Sequence, residues 1–261
     1  MRHALLTLLA IPLLPVLLLQ ALKVRRQVPR LPEAEHPSGF APGPEPARPE
    51  LRLLVAGEST MAGVGVRTHE EGFAGSLAHE LARRLRRPVR WQVLARSGST
   101  AESLRREVLP ALGAEPFDLV VLGLGANDAF ALRRPARWKA AVGRLLDALG
   151  VRLPGVPVLF CALPPIGEFP AFPALLRFVL GRWVGSLGRA TQELAARRGD
   201  FRFVEEPIRL GDWLGADASP GRVAELFSDG VHPSRQAYQA WAADMAARIA
   251  RDGSLRLGSL G

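Results

Sequence analysis

Leu51-Arg52-Leu53-Leu54-Val55-Ala56-Gly57-Glu58-Ser59-Thr60 is a short apolar run that stops at a glycine and turns polar. An apolar run of that length, bounded by a turn, reads as a buried strand. Ser59 then lies just past the strand's carboxyl end. Two further stretches have the same form. Val89-Arg90-Trp91-Gln92-Val93-Leu94-Ala95 leads into Ser97-Gly98-Ser99, and Phe117-Asp118-Leu119-Val120-Val121-Leu122 leads into Gly125-Ala126-Asn127-Asp128. Strands that end in polar turns along one edge form the crevice of an open parallel sheet. Helical periodicity occupies the intervals at 72–87, 101–112, 136–149, 175–198 and 234–251, with further strands at 156–162 and 201–204. Such alternation requires crossover connections, so the fold class is α/β: one domain, a parallel sheet, helices on both faces.

A fourth polar cluster, Asp229-Gly230-Val231-His232, completes a chemical set. Taken singly, each block has an ordinary reading. Ser59 suits a helix cap, Gly98 a positive φ, Asn127 and Asp128 a turn, and Asp229-Gly230 is a common turn dipeptide. Taken together and in order, they supply what acyl transfer by serine needs: a hydroxyl, a base, an orienting carboxylate and oxyanion donors. His232 is the natural base, because imidazole titrates near neutral pH. Asp229, three residues earlier, reaches the other ring nitrogen if the segment turns. Pro233 suits the first position of the helix that follows. The oxyanion donors expected are the N–H groups of Ser59 and Gly98 and the side-chain amide of Asn127.

This constellation resembles the SGNH hydrolases, also called GDSL esterases and lipases. The resemblance spans residues 51 to about 251 and rests on Ser59, Gly98, Asn127 and the Asp229–His232 pair. It implies a flavodoxin-like, three-layer αβα sandwich, a serine nucleophile and no cofactor. Glu58 stands where the family carries aspartate. That aspartate is not the family's catalytic acid, so the departure bears on turn geometry. The resemblance also leaves open an O-acyltransferase or deacetylase acting on carbohydrate or cell-envelope substrates. A non-catalytic binding module at a membrane is the remaining alternative.

Other chemistries lack their signals. No serine sits in Gly-x-Ser-x-Gly, and with Lys23 and Lys139 as the only lysines there is no Ser-x-x-Lys pair. The histidines are His3, His36, His69, His79 and His232, without metal-ligand spacing, so no metal is expected. His69, beside Glu70 and Glu71, reads as a solvated loop residue. The net charge of +9 is dispersed along helices without a nucleic-acid motif. The lone cysteine, Cys161, lies in an apolar run and excludes an internal disulfide.

Four segments are expected. Residues 1–22 form a hydrophobic leader, whose apolar stretch 4–22 is long enough to stay in a membrane as an anchor; the alternative is a cleaved signal for export. Basic residues after it favour a domain on the cytoplasmic side. Residues 23–50 form a basic, proline-rich, extended linker, 51–252 the esterase-type domain, and 253–261 a frayed tail. Within the domain, 163–176 is rich in proline and aromatic residues. Ile166, Phe169 and Phe172 are the candidate walls for a small or lipid-like ester; an ordinary strand-to-helix connection is the other reading.

Overall fold

The computed structural model describes residues 2–206, 208–214 and 219–252, with the side chains of 2–14 and 220 outside that description. Its sheet is built from β1 (Ser38–Ala41), β2 (Leu51–Gly57), β3 (Val89–Ala95), β4 (Leu119–Gly123), β5 (Val158–Phe160) and β6 (Arg202–Phe203), in the order β1-β3-β2-β4-β5-β6. Strands β2 to β6 are parallel and β1 pairs antiparallel to β3 at the edge. Without β1 this is the doubly wound, flavodoxin-like order, with the switch point between β2 and β4.

The helices are α1 (Arg2–Gln27), α2 (Phe73–Leu85), α3 (Ala101–Ser103), α4 (Ala126–Phe130), α5 (Pro135–Arg152), α6 (Ala174–Arg198), α7 (Pro220–Glu225) and α8 (Arg235–Arg251). Alternation along β2 sets the layers. Leu53 and Val55 pack with Leu77 and Leu81 of α2 and Tyr238 and Trp241 of α8. Leu54 and Ala56 face the opposite layer, with Trp138 of α5 and Leu187 of α6. A strand covered on both faces is apolar throughout, which is why these runs were continuous rather than alternating. Each such buried side chain contributes ~1.5–3 kcal/mol relative to exposure.

The expected elements recur within a few residues of their places, with three differences. The helix expected at 101–112 is broken: α3 passes into a π-helical stretch at Leu104–Val108 and a 3-10 turn at Leu109–Ala111. Pro110 sits in that last turn, and proline cannot donate to an α-helical ladder. Pro233 is not the first residue of α8; Ser234 is its N-cap and accepts the Ala237 N–H at 3.5 Å.

The third difference is the linker expected at 23–50, which lies on the domain. α1 runs to Gln27, the Ala34 N–H donates to the Ala62 carbonyl at 3.0 Å, and the Glu35 N–H to Arg67 at 2.9 Å. β1 follows, with Ala41 fully buried. The prolines flank that strand rather than interrupt it, which an edge strand tolerates. Gly39 is required there, because a Cβ would sit 2.4 Å from the Trp91 ring.

Among the described residues no helix is long and apolar enough to cross a membrane. The anchor expectation rests on 4–22, of which 4–14 have side chains outside the description, and the tail from 253 lies outside it altogether.

Candidate active site

The site forms where β2 and β4 end side by side. Gly57 pairs with Gly123, and a Cβ on Gly57, whose φ is +154°, would lie 2.0 Å from the Gly123 carbonyl oxygen. Two glycines therefore let the strand ends close up, and the chain turns sharply into Glu58 and Ser59. The Ser59 carbonyl accepts the Val64 N–H at 3.1 Å, closing a tight turn. The Val64 carbonyl in turn accepts the hydroxyl of buried Tyr238 at 2.8 Å, tying the turn to α8.

From the other side comes the loop before α8. The Ser228 N–H donates to the His232 carbonyl at 2.8 Å, and the Ser234 N–H to the Leu226 carbonyl at 2.8 Å, so the loop is a closed bend. Gly230 adopts φ +82° within it. Asp229 Oδ1 accepts the backbone N–H groups of Val231 at 2.9 Å and His232 at 2.7 Å. Its Oδ2 meets His232 Nδ1 at 2.7 Å. His232 Nε2 lies 3.2 Å from Ser59 Oγ. The Asp229 side chain is fully buried, whereas that of His232 remains 20% exposed. Burial alone would raise the Asp229 carboxyl, but the His232 ring, through its hydrogen bond and its charge, and the two backbone N–H groups together hold it below the usual carboxylate range.

Gly98 sits opposite Ser59 at φ +80°, exposed, with open space around it. Neither its N–H nor that of Ser59 has a hydrogen-bond partner among the described residues. Asn127 is held differently. Its Nδ2 donates to Glu58 Oε2 at 2.7 Å and to the Ser99 carbonyl at 3.1 Å, so both amide hydrogens are engaged.

Glu58 is the residue whose role the sequence left unread. It is 1% exposed and receives the N–H groups of Ala126 at 2.8 Å and Asn127 at 3.0 Å in addition to the Asn127 amide. The N-cap of α4 is Gly125, which has no side chain to cap it, so Glu58 satisfies the first turn from across the sheet edge. Burial pushes its carboxyl up to about 7, against the pull of the donors. Asp128, fully buried beside it, accepts the Ala101 N–H at 2.9 Å and pairs with Arg133, which fastens the Gly98 turn to α4.

These groups open into a cavity of about 830 Å³. Ser59, Gly98, Asn127 and His232 line its polar end, and Phe169 and Phe172 line its apolar part. Ile166 does not: it is fully buried and borders a separate cavity of about 350 Å³ under α6. It sits in the 3-10 turn Ile166–Glu168 and faces the core, whereas Phe169, also buried, borders the cavity. Phe172 packs on Phe169 at 5.5 Å between ring centres, and Phe169 on Phe227 at 5.6 Å. The expected loop residue His69 is instead 4% exposed, and burial lowers its pKa to about 4. Among the described residues no group of acidic, histidine or cysteine side chains is arranged to hold a metal ion.

A doubly wound sheet with this serine, histidine and carboxylate at its switch point belongs to a known class. The model of the GDSL-like lipase/acylhydrolase family matches residues 55–240. The chain belongs to that family. It is 28% identical over 206 residues to the GDSL-like esterase Rv1075c of Mycobacterium tuberculosis, an alignment covering 78% of this chain and 62% of that protein. The chain thus spans about three-fifths of the length of that relative. Among solved structures, TesA superposes with a TM-score of 0.56 at 25% identity, covering 78% of this chain and 99% of that one. An extracellular lipase from Streptomyces rimosus shares the fold at 18% identity, with a TM-score of 0.55 and coverage of 77% and 99%.

Proposed function

We propose that the protein is a carboxylic ester hydrolase working through an acyl-enzyme on Ser59. The observation that carries this is the unbroken hydrogen-bond line from Asp229 through His232 to Ser59, at the polar end of an apolar cavity. The family membership and the likeness to the mycobacterial esterase support the same reaction class.

Ser59 Oγ attacks the ester carbonyl carbon while His232 Nε2 takes its proton. Asp229 accepts the Nδ1–H, fixes the tautomer and stabilises the imidazolium. The carbonyl oxygen becomes an oxyanion between the free N–H groups of Ser59 and Gly98. Asn127 joins them as a third donor by giving up its longer bond, the one to the Ser99 carbonyl. The tetrahedral centre then expels the alkoxide, which takes the proton from Nε2. Water repeats the sequence on the acyl-enzyme and frees the acid. The apolar lining suits acyl groups of lipid-like esters.

Replacing Ser59 or His232 by alanine should lower hydrolysis of p-nitrophenyl esters by ~10⁴-fold or more with an unchanged circular-dichroism spectrum. A fluorophosphonate should label Ser59 alone. Full activity in a folded Ser59→Ala protein overturns the proposal. Acceptor-dependent ester synthesis outrunning hydrolysis would make the enzyme a transferase that uses the same residues.

A further inference from the structure

The cavity is not built from the catalytic domain alone. Leu17, Leu18, Ala21 and Val24 of α1, and Val28 just past its end, line it together with Ser59 and His232. Positions 17, 21, 24 and 28 recur at the four- and three-residue spacing that puts side chains on one stripe of a helix. Leu17 and Val24 are 7% and 8% exposed and belong to the main core with Leu176, Leu180 and Val184 of α6. Val16, Leu19 and Leu22 on α1 are exposed and do not line the cavity, whereas the exposed Leu18 and Ala21 do. α1 is therefore docked by one face, and that face borders the cleft.

The lining continues from α1 onto Leu176, Val179 and Leu180 of α6, on which α1 packs, and onto the aromatic pair Phe130 and Phe172, whose rings lie 5.8 Å apart. The cleft thus has a polar end at Ser59, Asn127 and His232 and an apolar gallery running along α1. From position 17 to position 28 the gallery extends about 16 Å at ~1.5 Å per residue. That is the length scale of a medium-to-long acyl chain; the α6 residues that line it are apolar, and the charges on the other side, Arg25 and Arg30, suit a carboxylate or headgroup at the far end rather than along the chain.

We infer that the leader helix forms the acyl-chain wall of the active site, so that Leu17, Ala21 and Val24 set the chain-length preference toward long acyl esters. The inference rests on Ser59 being the nucleophile. It makes the leader part of the substrate site and not only a means of attachment. Bulk added on the inward stripe shortens the gallery, and bulk removed lengthens it.

The test uses the full chain and kcat/KM for p-nitrophenyl acetate and p-nitrophenyl decanoate. Ala21→Trp should lower the decanoate-to-acetate ratio by about tenfold, the scale on which apolar pockets discriminate chain length. Leu17→Ala should raise the preference for still longer chains, read with the palmitate ester. Opposite shifts in the two variants support the wall. A ratio that moves by less than about threefold in both, or an equal loss on every ester in both, overturns it and leaves α1 a strut. Ser59→Ala is run alongside. If that variant hydrolyses both esters as the parent does, the catalytic reading falls and takes the wall with it. If it is inactive while the ratios stay fixed, the wall alone falls.

Discussion

Glu58 accepts three N–H donors with two oxygens while lying almost wholly out of water. Its carboxyl, raised by burial from 4.5 to about 7, holds a proton in the folded state over a range in which the unfolded chain has already lost it. The folded state then binds more protons, and stability falls as pH rises through that window. Thermal unfolding should accordingly show stability decreasing between pH 5 and about 7, by at most one proton's slope of ~1.4 kcal/mol per pH unit. Glu58→Gln should flatten that slope; an unchanged slope would assign it to other groups. Asn127, which Glu58 holds, is the neighbouring case. If its amide serves the oxyanion, Asn127→Ala lowers kcat by ~10²–10³ with KM nearly constant. An effect confined to KM would make it a binding residue instead. The sequence offered Asn127 through its motif, but not its two existing partners. Those depend on where the Ser99 carbonyl and the Glu58 carboxylate fall once the sheet has formed.

At the scale of elements, the parallel strands and long helices were legible because burial on both faces writes itself as uninterrupted apolar runs. β1 was not. Ser38-Gly39-Phe40-Ala41 carries no strand pattern of its own and exists only against the edge of β3, where Gly39 makes room for Trp91. α4 is too short, at Ala126–Phe130, for a helical period to show. Ile166 was misplaced for a related reason: loop composition does not tell which side chain a 3-10 turn directs inward. The link between α8 and the Ser59 turn is another contact between distant elements, made by the hydroxyl of Tyr238 on the Val64 carbonyl at 2.8 Å. Tyr238→Phe removes that buried bond and leaves the carbonyl unpaired. A loss of ~1–3 kcal/mol is expected in chemical denaturation. Turnover should fall with it if the bond also fixes Ser59, and a stability loss without any change in kcat would confine the contact to folding.

For the whole molecule, the decisive question is what α1 does besides lining the cleft. Its packing on α6 and the path of residues 28–50 over the domain leave no free spacer, so the catalytic end stays next to the leader. The outward residues Val16, Leu19 and Leu22 continue the apolar stretch that begins at position 4, and the basic residues Lys23 and Arg26 follow at once. We propose that this surface holds the protein on a membrane, with apolar contact supplying the attachment and the basic residues adding attraction to anionic headgroups. Such attachment has two separable parts. Electrostatic binding is screened by salt, whereas apolar burial is not. The full chain should therefore co-float with vesicles containing phosphatidylglycerol, and raising the salt should weaken but not abolish the association. Elution of all protein at high salt would reduce the attachment to charge alone. A mature protein that begins after Ala21, found free of membranes, would remove both the attachment and the part of the cleft wall made by Leu17, Leu18 and Ala21.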